Sequence, residues 1–179
     1  MSADLIILTG PPGAGKTTTA AQVARGFPRA VHLHTDDFWH AIVSGATPPY
    51  EPASERQNHT VLEAIAAAAF AYADGGFATV VDGIVGPWML DHFRSRMSQY
   101  PGVPVRYIVL RPRRAVALAR AQARSGAADL TTAGPIASMW DQFADLGALE
   151  CVVLDTSDDT LDETVARVIS VLETDAPRL

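Results

Sequence analysis

The sequence predicts an α/β fold: a five-stranded parallel sheet with helices packed on both faces. Three observations carry that prediction. Five short apolar runs rich in β-branched residues recur along the 179 residues, and they alternate little between apolar and polar, as strands buried on both faces require. Segments with helical spacing separate them, and strand–helix alternation brings a parallel sheet. Gly/Pro clusters stand at the boundaries, around 45–49, 74–76, 101–102 and 134–135, where turns are needed.

Each element has its own signal. Leu5-Ile6-Ile7-Leu8 centres a first strand at 4–9, and Thr17 to Ala24 reads as the helix behind it, near 16–26. Ala30 to His34 gives a second strand at 30–35, followed by a helix near 37–44 and a long alanine-rich helix at 53–73. Thr79-Val80-Val81 centres the third strand at 77–82, with a helix near 87–98 after it. Val105 to Leu110 supplies the fourth strand at 104–110, then helices near 112–125 and 134–146. Cys151-Val152-Val153-Leu154 makes the fifth strand, 149–155. The last helix, near 159–173, opens on a capping box, Thr160 with Glu163. No linker, repeat or low-complexity tract divides the chain, so 1–179 reads as one domain.

Composition removes several function classes. Hydrophobic content of 48% and charged content of 19% describe a globular chain. The net charge is −6 and the only basic run is Arg111-Pro112-Arg113-Arg114, which argues against general nucleic-acid or anionic-membrane binding. The longest apolar run, Ala64 to Ala73, is ten residues, too short to span a bilayer. The start, Met1-Ser2-Ala3-Asp4, lacks the basic residues of a signal peptide, so a cytoplasmic location is expected. Cys151 is the single cysteine, which excludes an intrachain disulfide; its apolar neighbours predict a buried strand position.

The chemistry-bearing motif is Gly10-Pro11-Pro12-Gly13-Ala14-Gly15-Lys16-Thr17, a full Walker A match between a strand and a helix. Lys16 is the only lysine beside thirteen arginines, retained where a compact ammonium suits the chemistry better than a planar guanidinium. Loop amides and the helix N-terminus, with Thr18 just inside it, face phosphate oxygens. Lys16 reaches the β- and γ-phosphates, and the Thr17 hydroxyl holds Mg²⁺. The lone lysine leaves none for an Asn-Lys-x-Asp guanine-reading loop or for a strand lysine of a protein kinase. ATP is therefore the expected nucleotide.

Ligands of such sheets bind beyond the carboxyl ends of the strands. After the second strand stands His32-Leu33-His34-Thr35-Asp36-Asp37-Phe38-Trp39. One aspartate can serve as the base for a substrate hydroxyl and the other as a helix cap, with the histidines packed within the sheet. His-x-His-x-Asp also opens a dinuclear metal motif, but that motif continues with histidine where this chain has Asp37. Val80-Val81-Asp82-Gly83 has the Walker B form, with Asp82 toward Mg²⁺. Arg113, Arg120 and Arg124 fall on one helical face and read either as the phosphate-gripping edge of a lid over 120–135 or as a solvated face. Asp155 and Thr156 lie at the carboxyl edge, beside the expected adenine position.

Together these segments resemble the small-molecule P-loop kinases (shikimate, gluconate and nucleoside-monophosphate kinases), and especially the chloramphenicol phosphotransferase-like group. The resemblance covers nearly the whole chain. It implies a P-loop NTPase three-layer sandwich with strand order 2-3-1-4-5, Asp36 as the base, Arg120 and Arg124 on ATP phosphates, and the 154–157 loop against adenine. The expected activity is transfer of the ATP γ-phosphoryl to a hydroxyl of a small molecule; the alternative is a nucleotide-binding regulator or slow NTPase without an acceptor. Segments 38–60 and 84–100 match no member closely enough to name a substrate. Within them Trp39, Tyr50, Trp88 and Met89 are candidates to wall an apolar cleft. The acidic residues nearby disfavour a phosphorylated substrate, while Arg56, Arg94 and Arg96 leave one open.

Overall fold

The computed structural model describes residues 2–123, 131–174 and 178–179. Its five strands are β1 (Leu5–Thr9), β2 (Ala30–His34), β3 (Ala78–Gly83), β4 (Val105–Leu110) and β5 (Val153–Leu154). All pair in parallel, in the order β2-β3-β1-β4-β5. The helices are α1 (Lys16–Arg25), α2 (Thr35–His40), α3 (Glu55–Asp74), α4 (Asp91–Met97), α5 (Arg114–Gln122), α6 (Ala133–Asp141) and α7 (Leu161–Glu173). This is the strand order expected of a P-loop NTPase sandwich.

Strand periodicity builds the two cores. Successive residues of a strand point to opposite faces, so Leu5 and Ile7 join one cluster with α3 residues such as Leu62 and Phe70, and Phe93 of α4. Ile6 and Leu8 join the other, with Ala20 and Val23 of α1 and Val168 of α7. The central strands β1, β3 and β4 are buried along their whole length, which is why they read as largely apolar runs, with Asp82 and Arg106 the charged exceptions.

Four segments differ from the sequence reading. β2 ends at His34 and α2 starts at once, so Asp36 and Asp37 are successive residues of a helical turn, about 100° apart, and not alternating strand positions. Neither caps a helix: the N-cap of α2 is His34, without a side-chain cap bond. Pro87–Met89 is a 3-10 turn ahead of a shorter α4, and α6 closes at Asp141. The fifth strand is reduced to two residues because Gly147–Val152 coils as a 3-10 helix. There Gly147 takes φ +57° and Glu150 is drawn into a bidentate pair with Arg111, 2.7 and 2.8 Å. Cys151 is consequently exposed, not buried in a strand. Among the described residues no helix is long and apolar enough to cross a membrane.

Candidate active site

The loop between β1 and α1 is shaped by its contact with α5. Gly13 has φ +80°, and a Cβ there would stand 2.0 Å from the carbonyl oxygen of Ala117; only glycine lets the loop lie on that helix. The cradle that results has buried Pro11, Pro12 and Ala14 as its base. Lys16 is 8% exposed, and its ammonium arches back to donate to the carbonyl of Pro11 at 3.0 Å. Thr17 and Thr18 open α1 on its exposed side.

Thr17 reaches across to the end of β3. Its hydroxyl donates to Asp82 Oδ2 at 2.7 Å, so the residues expected to organise Mg²⁺ touch each other. Asp82 is fully buried and its other oxygen meets two imidazoles, His32 Nε2 at 2.6 Å and His34 Nδ1 at 3.1 Å. Burial alone raises its pKa, but the bonds from His32, His34 and Thr17 prevail and hold the carboxyl well below the usual range. His34 is correspondingly raised by its bond to Asp82, against its own burial, with the charges of Asp82, Asp36 and Asp37 adding to the effect. His34 Nε2 also lies 3.6 Å from Asp36 Oδ2. A polar chain thus runs Thr17–Asp82–His34–Asp36. The sequence reading packed the histidines within the sheet without assigning them to Asp82. The signal was available: His32 and His34 share a face of β2, and order 2-3 sets His34 opposite Asp82.

Beyond Asp36 opens a cleft of about 1220 Å³ whose walls include Thr35, Asp36, Trp39, Tyr50, Trp88 and Met89. The four apolar candidates from the two unmatched segments therefore converge. Trp39 is fixed by its indole N–H on Asn58, 2.9 Å, and Trp88 stacks edge-on against Phe143. Asp36, with its side chain 64% exposed, lines the cleft; Asp37 is exposed outside it.

At the opposite edge, Arg120 donates to the carbonyls of Thr156 and Ser157, both at 3.1 Å. Arg113 pairs with Asp158 at 2.6 Å, so these two members of the arginine face are turned to the loop after β5. Asp155 accepts from the amide and hydroxyl of Ser157, and Thr156 is buried with its hydroxyl unpartnered. The capping box of Thr160 and Glu163 is present. Arg124, and residues 124–130 of the expected lid, lie outside the described residues.

Comparisons with known proteins give the family and the fold. An AAA domain family model matches residues 5–146. Among solved structures, a sugar kinase from Janibacter sp. HTCC2649 is similar with TM-score 0.69 and 21% identity, over 97% of this chain and 95% of that one. The Deinococcus radiodurans tunicamycin resistance protein is similar with TM-score 0.65 and 20% identity, over 99% of each chain. The Mycobacterium tuberculosis APS kinase is similar with TM-score 0.63 and 18% identity, over 97% of this chain and 99% of that one. A comparison with curated proteins finds no match.

Proposed function

The chain belongs to the AAA domain family, with a P-loop kinase-like fold, and from that premise we propose that it is an ATP-dependent phosphotransferase acting on a hydroxyl of a small molecule. The observation that carries this reading is the polar chain from Thr17 through Asp82 and His34 to Asp36. It joins the phosphate cradle to a walled cleft, and a bare nucleotide-binding regulator has no use for the cleft or for a carboxylate at its entrance.

Each residue has a physical role in this reading. The cradle amides and Lys16 take the triphosphate, the ammonium exchanging the Pro11 carbonyl for phosphate oxygens. Thr17 and Asp82 form a hard-oxygen pair, ionised at the carboxylate, of the kind that holds Mg²⁺ with waters completing its shell. That ion, when bound, neutralises charge on the transferring phosphoryl. Asp36 accepts the proton of the acceptor hydroxyl as the oxygen attacks, and His34 limits the positions its carboxylate takes. Arg120, with Arg124, neutralises phosphate charge; for Arg120 this means trading two neutral carbonyls for charged oxygens, a favourable exchange. Loop 155–157 borders the adenine. The test is ADP formation with Mg²⁺ in the presence and absence of hydroxylated compounds. Acceptor-dependent ADP supports the phosphotransferase; equal ADP release in both arms favours an NTPase.

A further inference from the structure

A second set of polar groups, two of which line the cleft, is tied together apart from the P-loop and Asp36. His59 Nδ1 lies 2.9 Å from His92 Nε2, His92 Nδ1 lies 2.7 Å from Glu63 Oε1, and Arg96 donates to Glu63 Oε2 at 2.9 Å. Both histidines line the cleft. α3 supplies His59 and Glu63, one turn apart, and α4 supplies His92 and Arg96 with the same spacing. The cluster therefore sits on two packed helices, and a loop conformation plays no part in it.

These bonds fix proton positions. A carboxylate only accepts, and Glu63 is kept ionised by the bond from His92 and then that from Arg96. With both imidazoles neutral, the His92 proton is on Nδ1 and its Nε2 is a lone pair, so His59 donates from Nδ1 and keeps Nε2 as an acceptor. One carboxylate, through two imidazoles, sets the tautomer of the outer histidine.

Charge narrows the ligand further. Among the described residues lining the cleft there is no arginine or lysine, while Asp36, Glu51 and Glu55 are carboxylates. None of the three arginines that left a phosphorylated substrate open lines the cleft. Arg94 pairs with Asp91 and Arg96 with Glu63, and Arg56 lines a separate, smaller pocket with Phe38 and Ile42. An anionic acceptor would enter a wall carrying three carboxylates and, among the described residues, no arginine or lysine to meet it.

We propose that His59 is a specificity residue of the acceptor cleft, held by Glu63 and His92 as positioning residues, and that it selects acceptors with no anionic group, an apolar body and a second hydroxyl that donates to His59 Nε2. This rests on the phosphotransferase reading for the fate of the first hydroxyl, but the selection itself is a binding property and is measured as one.

The experiment uses the whole chain and three matched compounds: cyclohexane-1,4-dimethanol, cyclohexylmethanol and 4-(hydroxymethyl)cyclohexane-1-carboxylate. Saturation-transfer NMR titrations give their relative affinities. The diol is expected to bind about three- to tenfold more tightly than the mono-alcohol, the yield of one neutral hydrogen bond, with the hydroxy acid weakest. His59→Phe should bring the diol to mono-alcohol ratio close to one, and His59→Asn, which keeps an acceptor oxygen, should restore part of it. Glu63→Gln, which no longer dictates the His92 proton, should lower the ratio without touching the contact itself. A general loosening of the wall would weaken both alcohols and leave their ratio unchanged. Tightest binding by the hydroxy acid, a diol preference that survives in His59→Phe, or no saturation transfer to the diol overturns the inference. Phosphorus NMR of the same samples with ATP and Mg²⁺ reads the chemistry separately: a diol bound through His59 but never phosphorylated contradicts the phosphotransferase and leaves the assignment of His59 standing.

Discussion

Gly13→Ala isolates the contact that shapes the phosphate cradle. The new methyl would lie 2.0 Å from the Ala117 oxygen and 2.9 Å from its carbonyl carbon, where ordinary contact begins at 3.4 Å. Both obstacles are backbone, so no side chain can rotate away; the loop or α5 must shift by more than an ångström. Left-handed backbone at an alanine costs about 1–2 kcal/mol, and forcing extra volume into packed structure adds about 1–3 kcal/mol. The expected loss is therefore about 2–5 kcal/mol in urea unfolding. Gly45 supplies the control, since it has φ +74° with nothing within 4 Å of a built Cβ. Gly45→Ala should lose only the backbone part, about 1–2 kcal/mol. ATP affinity, read by calorimetry, should fall at least tenfold in Gly13→Ala and stay unchanged in Gly45→Ala. Equal destabilisation of the two variants, with intact ATP binding in both, would refute the account of the loop seated on α5.

Two further outcomes follow from the site. Lys16→Ala and Lys16→Arg should both abolish useful ATP binding while leaving the unfolding midpoint near that of the parent, because the cradle takes a point cation and the Pro11 bond is replaceable; wild-type affinity and turnover in either variant would remove Lys16 from the phosphate site. Glu63 has a carboxyl held low by His92 and Arg96, so it contributes stability above its unfolded pKa, about 4.3, that is lost as pH falls through the lower folded value. With the side chain 47% exposed, screening keeps this below about 1 kcal/mol, and Glu63→Gln should show a flatter acid limb in a pH series of thermal melts; an unchanged limb would contradict the pairing.

The sequence displayed the parts whose cause is local or periodic. Largely apolar runs marked β1, β3 and β4 because both faces of each are covered, and the Walker A spacing marked the cradle because its glycines answer to backbone geometry. β5 was overestimated for the opposite reason. An apolar stretch at a sheet edge looks like a strand, yet the Arg111–Glu150 pair, 39 residues apart in sequence, holds Gly147–Val152 in a 3-10 coil. The immediate start of α2 was also hidden, since Thr35-Asp36-Asp37 reads equally as a strand end or a helix entry. The Trp39, Tyr50, Trp88 and Met89 wall could be suspected from composition. Its assembly depends on α2, α3 and the turn after β3 meeting in space. The His59–His92–Glu63 cluster left no sequence signal, because each histidine stands alone in its own helix.

In the proposed reaction Asp36 takes the proton of an acceptor hydroxyl in this cleft. The most direct measurement compares Asp36→Asn and Asp37→Asn for ATP affinity and for acceptor-dependent phosphoryl transfer, with the phosphorylated acceptor identified by mass spectrometry. ATP affinity should be unchanged in both, the transfer rate should fall about 10²–10⁴-fold for Asp36→Asn, and it should stay near the parent for Asp37→Asn. A transfer rate untouched by Asp36→Asn, or a collapse found only in Asp37→Asn, would contradict that role of Asp36.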